Sequence, residues 1–311
     1  MKLSVVIPVY NEEKNLEILH KKIVEVMSAC GYKYEIIFAD DGSTDRSYEI
    51  LEELRKKDKN VKIVSFYKNF GQTAAMDAGI KLAKGEIIVT LDSDLQNDPR
   101  DIPRLVEKIK EGYDVVSGWR WKRKDPFFKK IVSRLANLIR RSLIKERIHD
   151  SGCTLKAFRR DCFDDVDLYG EMHRYIPSFL RTKGCRIAEL KVRHNPRLYG
   201  KTKYGSKRIV KGFLDLIMIH FWTNFASRPM HFFGTVGLVN FILGFLAGIY
   251  LLILKFVYGQ GLAERPLLLL VVLLIILGVQ FIIFGIIAEI LMRIYYKTHH
   301  QTYYKIKRKR E

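Results

Sequence analysis

The sequence predicts an α/β fold built on a mostly parallel sheet, followed by a pair of membrane-spanning helices. Three observations carry this. Apolar, β-branched runs alternate with helix-patterned stretches four times between Leu3 and Asp94, the rhythm of a sheet covered on both faces with right-handed crossovers. Each of these runs ends in polar residues: Asn11 and Glu12, Asp40 and Asp41, Lys68 and Asn69, Asp92 and Asp94. After about residue 209 the chain turns strongly apolar, with two runs that exceed the ~20 residues a helix needs to cross a bilayer.

The first predicted strand is Leu3 to Val9, with Pro8 near its end. Leu16, Leu19, Ile23, Val24 and Met27 then recur at helical spacing, closed by Gly31. Tyr34 to Ala39 is the second strand, and Ser43 or Thr44 is placed to cap a helix reaching about Lys57. Val61 to Phe66 is the third strand, and Gln72 to Ala83 is helix-forming, with Gly85 as its stop. The fourth, Ile87 to Leu91, is continuously apolar, as a strand buried on both faces should be. Asp114 to Gly118 is a further short strand. In such a fold all four polar tips share one edge, where ligands bind beyond the carboxyl ends of the strands.

Asp92, Asp94 and Gln96 are the candidate metal ligands. If the extended backbone continues past Leu91, the three side chains project to one side. An oxygen set of this kind suits Mg²⁺ or Mn²⁺, which takes one or two carboxylates together with substrate phosphates. No G-x-G-x-x-G follows the first strand and no G-x-x-x-x-G-K-[ST] occurs, so phosphate binding falls to the metal and to basic side chains. The formal net charge of +20 points to an acidic partner: nucleic acid, an anionic membrane or a phosphorylated substrate. Cys30, Cys153, Cys162 and Cys185 form no CxxC pair and no zinc spacing, and read as reduced thiols. The chain enters its first strand within a few residues, so no signal peptide is expected.

Val6-Ile7-Pro8-Val9-Tyr10-Asn11-Glu12, Asp40-Asp41-Gly42-Ser43-Thr44-Asp45, Asn69-Phe70-Gly71-Gln72 and Leu91-Asp92-Ser93-Asp94-Leu95-Gln96 resemble the signature blocks of family 2 glycosyltransferases. More closely, the chain resembles the membrane-bound polyprenyl-phosphate glycosyltransferases. The blocks occur in order and at family spacing, and the likeness extends over nearly the whole chain. The resemblance implies a GT-A catalytic domain (Rossmann-like, with a mostly parallel sheet), a nucleotide-sugar donor and a polyprenyl-phosphate acceptor. Carried over by motif, Pro8, Tyr10, Asn11, Glu12, Asp41, Lys68 and Asp92 serve the donor nucleotide, and Asp92, Asp94 and Gln96 hold the metal on its diphosphate.

In the middle of the chain, Phe128, Ile131, Val132, Leu135, Leu138, Ile139 and Leu143 fall on one arc of a helix near 127–145, with Lys130, Arg134, Arg141 and Lys145 opposite or on its flank. Such a helix can lie in a bilayer interface or face a core with a solvated back; the resemblance favours the interface. Arg120 and Arg134 match the positions implied to bind the acceptor phosphate, a task suited to the guanidinium fork. Asp150, before the Ser151-Gly152 turn, is the second catalytic candidate after Asp94. Because a phosphate oxygen is already anionic, a strong base is not required, and Asp150 orients the acceptor, the donor sugar or an arginine. His194, Arg197, Lys201 and Lys203 belong to a basic loop resembling the family's mobile R-x-x-G-x-S-K-Y segment, with Thr202 in the Ser position. Such a loop can close over bound phosphates.

The expected organisation is a catalytic domain over 1–207, an interfacial helix over 208–230, two spans at about 232–257 and 266–288 within 231–291, and a basic tail over 292–311. The short connector Tyr258 to Arg265 makes the spans a hairpin. Basic flanks place the catalytic domain and both termini in the cytoplasm at an inner or plasma membrane. Attraction to anionic lipid also accounts for the charge excess, so nucleic acid is not needed as a partner. A homo-oligomer is compatible with the sequence. The expected activity is an inverting, metal-dependent hexosyl transfer to polyprenyl phosphate in envelope glycan synthesis. Overall likeness to the bacterial enzymes favours uridine over guanosine, with GDP-mannose as the alternative donor. No motif selects the sugar. A polysaccharide synthase would need more spans, and an inactive scaffold would not need the Asp92-Ser93-Asp94 acids.

Overall fold

A computed structural model describes residues 2–121, 148–164, 166–168, 170–196, 198, 218, 221, 224, 225, 228–262 and 265–298. The chain forms two compact units, Met1–Leu216 and Ile217–Glu311. The first contains β1 (Lys2–Val9), α1 (Leu16–Ala29), β2 (Lys33–Asp40), α2 (Ser47–Lys57), β3 (Val61–Ser65), α3 (Gln72–Leu82), β4 (Ile87–Thr90), α4 (Ile102–Lys110), β5 (Val115–Arg120), β6 (Lys156–Arg159), α5 (Ile176–Thr182) and β7 (Ile187–Val192). They build a 7-stranded sheet in the order β3-β2-β1-β4-β6-β5-β7. β1 lies parallel to β2 and β4, β2 to β3, and β5 to β7, while β6 is antiparallel to both neighbours.

Alternation along the strands divides the core into two layers. Val5 and Ile7 of β1 pack with Leu19 and Ile23 of α1, Leu51 of α2 and Leu105 of α4. Val6 faces the other way, toward Met76 and Ile80 of α3 and Leu180 of α5. Each such fully buried aliphatic side chain contributes about 1.5–3 kcal/mol, so both sheet faces are firmly held. Pro8 sits inside β1 without breaking it. The Val6 carbonyl accepts from Leu91 and the Val9 carbonyl from Asp41, so even-numbered backbone groups of β1 face β4. β4 ends at Thr90, opposite Val6, and the missing N–H of Pro8 falls where no ladder bond is due.

The expected capping of α2 by Ser43 or Thr44 is corrected. α2 begins at Ser47, whose N–H donates to Asp45 Oδ1 at 2.9 Å. Ser43 and Thr44 are instead engaged by Asn11.

The second unit contains α6 (Pro229–Phe256) and α7 (Pro266–Thr298). Their most apolar stretches reach mean hydropathies of 2.3 and 3.3, and most of their apolar side chains face outward. Two helices of this length and composition can span a membrane. Gly237 and Gly278 bring them into backbone contact: a Cβ on Gly237 would stand 2.7 Å from the Gly278 carbonyl oxygen. Small residues at such crossings permit the close packing that joins helices in lipid. α7 runs past the expected end at Ala288, with Glu289 and Arg293 paired one turn apart at 3.3 Å. The expected amphipathic helix at 127–145, all but isolated positions of 208–227, and the tail beyond Thr298 lie outside the described residues.

Candidate active site

The polar strand tips meet at one edge of the sheet and are stitched together by their own side chains. Asn11, in a left-handed conformation at φ 52°, donates its backbone N–H to Ser43 Oγ (3.0 Å), and its Oδ1 accepts from the Thr44 N–H (2.7 Å). The Glu12 N–H donates to Ser47 Oγ at 2.9 Å, and its carboxylate accepts from Asn15 Nδ2 at 2.6 Å. Pro8 is buried and Tyr10 half-buried beside them. The Asp41 carboxylate accepts from the backbone N–H groups of Phe70 (2.7 Å) and Gly71 (2.9 Å). It thus orders the turn that carries Lys68 into α3. Burial raises the Asp41 pKa and Asp40 adds to the rise, against the two amide bonds. Gly42 is required here twice over. Its φ is +66°, and a Cβ would lie 2.4 Å from the Lys68 carbonyl carbon.

Asp92 is held from two sides. Gln72 Nε2, at the first turn of α3, donates to its Oδ1 at 2.8 Å. Thr154 Oγ1 donates to its Oδ2, and itself accepts from Asn97 Nδ2 at 3.0 Å. Asp94 is buried, and its Oδ1 accepts from the Gln96 N–H at 3.1 Å. The expected extended path through Asp92, Asp94 and Gln96 is corrected: β4 stops at Thr90, and Leu95 adopts φ 61°. A tight turn, not strand alternation, brings the acids together. Burial, and then the Asp94 charge, push the Asp92 carboxyl up to about 6, opposed by Thr154, Arg120 and Lys156. Two crowded carboxylates of this kind gain from a divalent cation, and an Asp-Asp-Gln oxygen set is chemically suited to Mg²⁺ or Mn²⁺. Among the described residues no group of three or more His, Cys, Asp or Glu is arranged for a metal, so a bound ion would draw its remaining ligands from Gln96, water or a substrate.

Arg120 and Asp150 form a bidentate pair, Nε to Oδ2 at 2.7 Å and Nη2 to Oδ1 at 2.8 Å, with the Arg120 N–H also donating to Oδ2 at 3.2 Å. Of the three roles expected of Asp150, the orientation of an arginine is the one this pairing would serve. Burial disfavours the Arg120 charge, but Asp150 more than offsets this and its pKa is raised. The Asp150 turn is fixed by Glu189, which accepts from the backbone N–H groups of His149 (2.8 Å) and Asp150 (3.3 Å). The His149 ring stacks on Trp119 with centroids 4.3 Å apart, and Lys191 Nζ lies 3.7 Å from the centroid of Trp121.

His194 pairs with Asn97 through an isolated bridge, and the Asn195 N–H donates to the Gln96 carbonyl at 2.8 Å. The chain leading toward the basic loop is thereby tied to the acid turn. A cavity of about 630 Å³ opens here, lined by Trp121, Lys191, Arg193 and His194 among others. Arg134, Arg197, Lys201 and Lys203 lie outside the described residues. Gln72, Asn97, Thr154, Lys156 and Glu189 were not among the sequence candidates. Gln72 ends a signature block and Thr154 follows the Asp150 turn at close range. Asn97, Lys156 and Glu189 carry no local signal.

Residues 4–167 match the model of the family described as glycosyl transferase family 2. The chain is 39% identical over 302 residues to the dodecaprenyl-phosphate galacturonate synthase of Rhizobium johnstonii, covering 96% of this chain and 89% of that one. It is 37% identical over 309 residues to the undecaprenyl-phosphate 4-deoxy-4-formamido-L-arabinose transferase of Klebsiella pneumoniae (99% and 93%). Among solved structures, it is similar to the glucosyl-3-phosphoglycerate synthase of Mycobacterium tuberculosis, crystallised with Mn²⁺, UDP and phosphoglyceric acid. The TM-score is 0.54 at 20% identity, over 71% of this chain and 78% of that one. At that identity the likeness is one of fold, and the fold is of GT-A type.

Proposed function

This chain belongs to glycosyl transferase family 2, among the polyprenyl-phosphate glycosyltransferases, and from that premise we propose that it transfers a sugar, with inversion, from a uridine diphosphate sugar to polyprenyl phosphate at the cytoplasmic membrane face. The observation that carries the reading is the joining, in one chain, of a crowded acid turn at the carboxyl edge of a GT-A sheet to two apolar helices of 28 and 33 residues. Relatives named for dodecaprenyl and undecaprenyl phosphate, matched over 89% and 93% of their length, support the acceptor class. The mycobacterial neighbour, which holds UDP and Mn²⁺, supports the donor class.

Asp92, Asp94 and Gln96 would hold Mg²⁺ or Mn²⁺, which when bound offsets the charge on the departing nucleoside diphosphate. Gln72 and Thr154 fix the direction of Asp92. Asn11, Glu12 and Asp41 shape the nucleoside pocket by ordering its loops, with Pro8, Tyr10 and Lys68 as its walls. Asp150 acts through Arg120: it fixes the guanidinium, which then presents its remaining N–H groups to an acceptor phosphate held in line with the anomeric carbon. Arg134, His194, Arg197, Lys201 and Lys203 serve the acceptor and donor phosphates, as the sequence motifs imply. The membrane organisation proposed is the one expected from the sequence: a catalytic domain over 1–207, a hairpin, and both termini in the cytoplasm.

Purified full-length protein, given undecaprenyl phosphate and a panel of UDP- and GDP-sugars, tests this. A lipid-linked sugar should form from a UDP-sugar in the presence of Mn²⁺. Transfer from GDP-mannose alone, or hydrolysis unaffected by the lipid, would contradict it.

A further inference from the structure

Lys156 opens β6 in the interior of the sheet, paired in register with Thr90 of β4 and Ser117 of β5. It is 2% exposed. An ammonium group so placed loses its hydration, and a space that needed only filling is better filled by an apolar chain. Among the described residues Lys156 forms no direct ion pair. Its Nζ donates instead to two backbone carbonyls, Ser151 at 3.3 Å and His173 at 3.4 Å.

Those carbonyls belong to two turns that flank the acid site. Ser151 follows Asp150, whose carboxylate grips Arg120. The His173 ring meets Thr73 Oγ1 at 2.6 Å, and Thr73 follows Gln72, which holds Asp92. Ser117 Oγ, on the same face of the sheet, is buried with no hydrogen-bond partner among the described residues. The titratable groups around Lys156 are Asp92, Asp150, Cys153 and Arg120. Burial pulls its pKa down to about 8, while the Cys153, Asp150 and Asp92 charges act in the opposite sense.

We infer that Lys156 is a positioning residue of the transfer reaction: its buried ammonium ties the Asp150 turn to the 172–174 turn and so fixes, from behind, Arg120 and the Gln72–Asp92 pair. The inference rests on the donor and acceptor roles proposed above for Asp92 and Arg120. It explains why a costly charge is kept where no counter-ion among the described residues touches it. Both turns present a carbonyl oxygen inward, and a three-donor ammonium joins them in a way that a methionine cannot.

The test uses full-length protein with donor, Mn²⁺ and polyprenyl phosphate. Lys156→Met should lower kcat about tenfold or more with donor KM changed less than about threefold. Its thermal midpoint should be unchanged or higher, because a desolvated charge has been removed. Lys156→Arg, which keeps charge and donors, should recover about a third or more of the turnover. Wild-type turnover in Lys156→Met overturns the inference. So does a fall in turnover matched by a fall in thermal midpoint, or an Arg variant no better than Met. If Lys156→Met and Lys156→Gln both fail to fold, the lysine serves stability alone and the inference is again overturned. Asp94→Ala is measured in parallel: its full activity would remove the donor-site reading itself, whereas a dead Asp94→Ala beside a fully active Lys156→Met removes only the role of Lys156.

Discussion

Glu35 and Asp92 are acids of one sheet, placed at opposite ends of its strands and treated in opposite ways. Glu35, near the start of β2, accepts from Ser4 Oγ (2.6 Å) and the Lys84 N–H (2.7 Å), and it pairs with Lys62 (2.7 Å) and Lys2 (3.1 Å). Burial opposes its charge, but Lys62, Ser4 and Lys84 more than compensate and hold its pKa at about 2. Asp92, just past β4, is buried beside another carboxylate and is pushed up to about 6. At the amino edge two lysines, a hydroxyl and a backbone N–H answer the charge from within the protein. At the carboxyl edge Asp92 stands close to a second acid, Asp94, and among the described residues Arg120 and Lys156 offset this only in part. Two acids placed so close together are chemically suited to a ligand that brings positive charge.

The largest effect that sharpens this comparison is on activity. Asp94→Ala should reduce transfer about a thousandfold, because the metal that offsets the charge of the donor diphosphate would lose one of its two carboxylate ligands. The protein should remain folded and membrane-bound, as judged by its thermal midpoint and fractionation. Glu35→Gln should do the reverse. It leaves Lys62 and Lys2 beside an uncharged group and should cost on the order of 3 kcal/mol of stability, while kcat of the folded protein stays within about twofold. A kcat that falls as far as that of Asp94→Ala would erase the distinction between the edges. Asp92→Asn should stabilise the protein by about 1–2 kcal/mol near neutral pH, since the folded state disfavours this charge, and should still lose activity.

The pH dependence carries the same contrast with smaller slopes. The Glu35 pKa is lower folded than unfolded. Its contribution is therefore present above about 4.5 and lost as pH falls toward about 2. The Asp92 pKa is higher folded than unfolded. Between about 4 and about 6 the folded state binds the extra proton, so this group lowers stability as pH rises through that window. Thermal midpoints of the purified full-length protein from pH 3 to 7 should show the Asp92 slope vanish in Asp92→Asn and persist in Glu35→Gln. A slope unchanged in Asp92→Asn would assign it to another group.

How much of this was legible in the sequence follows from how local each signal is. The four parallel strands announce themselves by continuous apolar runs, and their polar tips by the residues that end them. Asp92 and Asp94 were found for that reason, although the turn at Leu95 that brings them together was not. β6 was missed. Lys156-Ala157-Phe158-Arg159 is short and doubly charged, and nothing local shows that Lys156 is buried between Thr90 and Ser117. β7 was missed as well, since it is paired through a strand about seventy residues earlier. Arg120 and Asp150 were each singled out, with the orientation of an arginine among the roles open to Asp150, but their bidentate pairing spans 30 residues and only the folded sheet reveals it. The two apolar helices were legible from length and composition, although the run of α7 past Ala288 was not, and the Gly237–Gly278 contact depends on how two helices face one another.

The central claim is that the carboxyl edge is a metal and nucleotide site, and ligand-induced stabilisation tests it most directly. Thermal midpoints of wild type and Asp94→Ala are compared with no addition, with Mn²⁺ alone, with UDP alone and with both. Wild type should gain several degrees with Mn²⁺ and UDP together, as expected for about 2–3 kcal/mol of linkage at a hundredfold excess over Kd, and Asp94→Ala should gain nothing. An equal gain in both proteins, or no gain in wild type, would contradict the account.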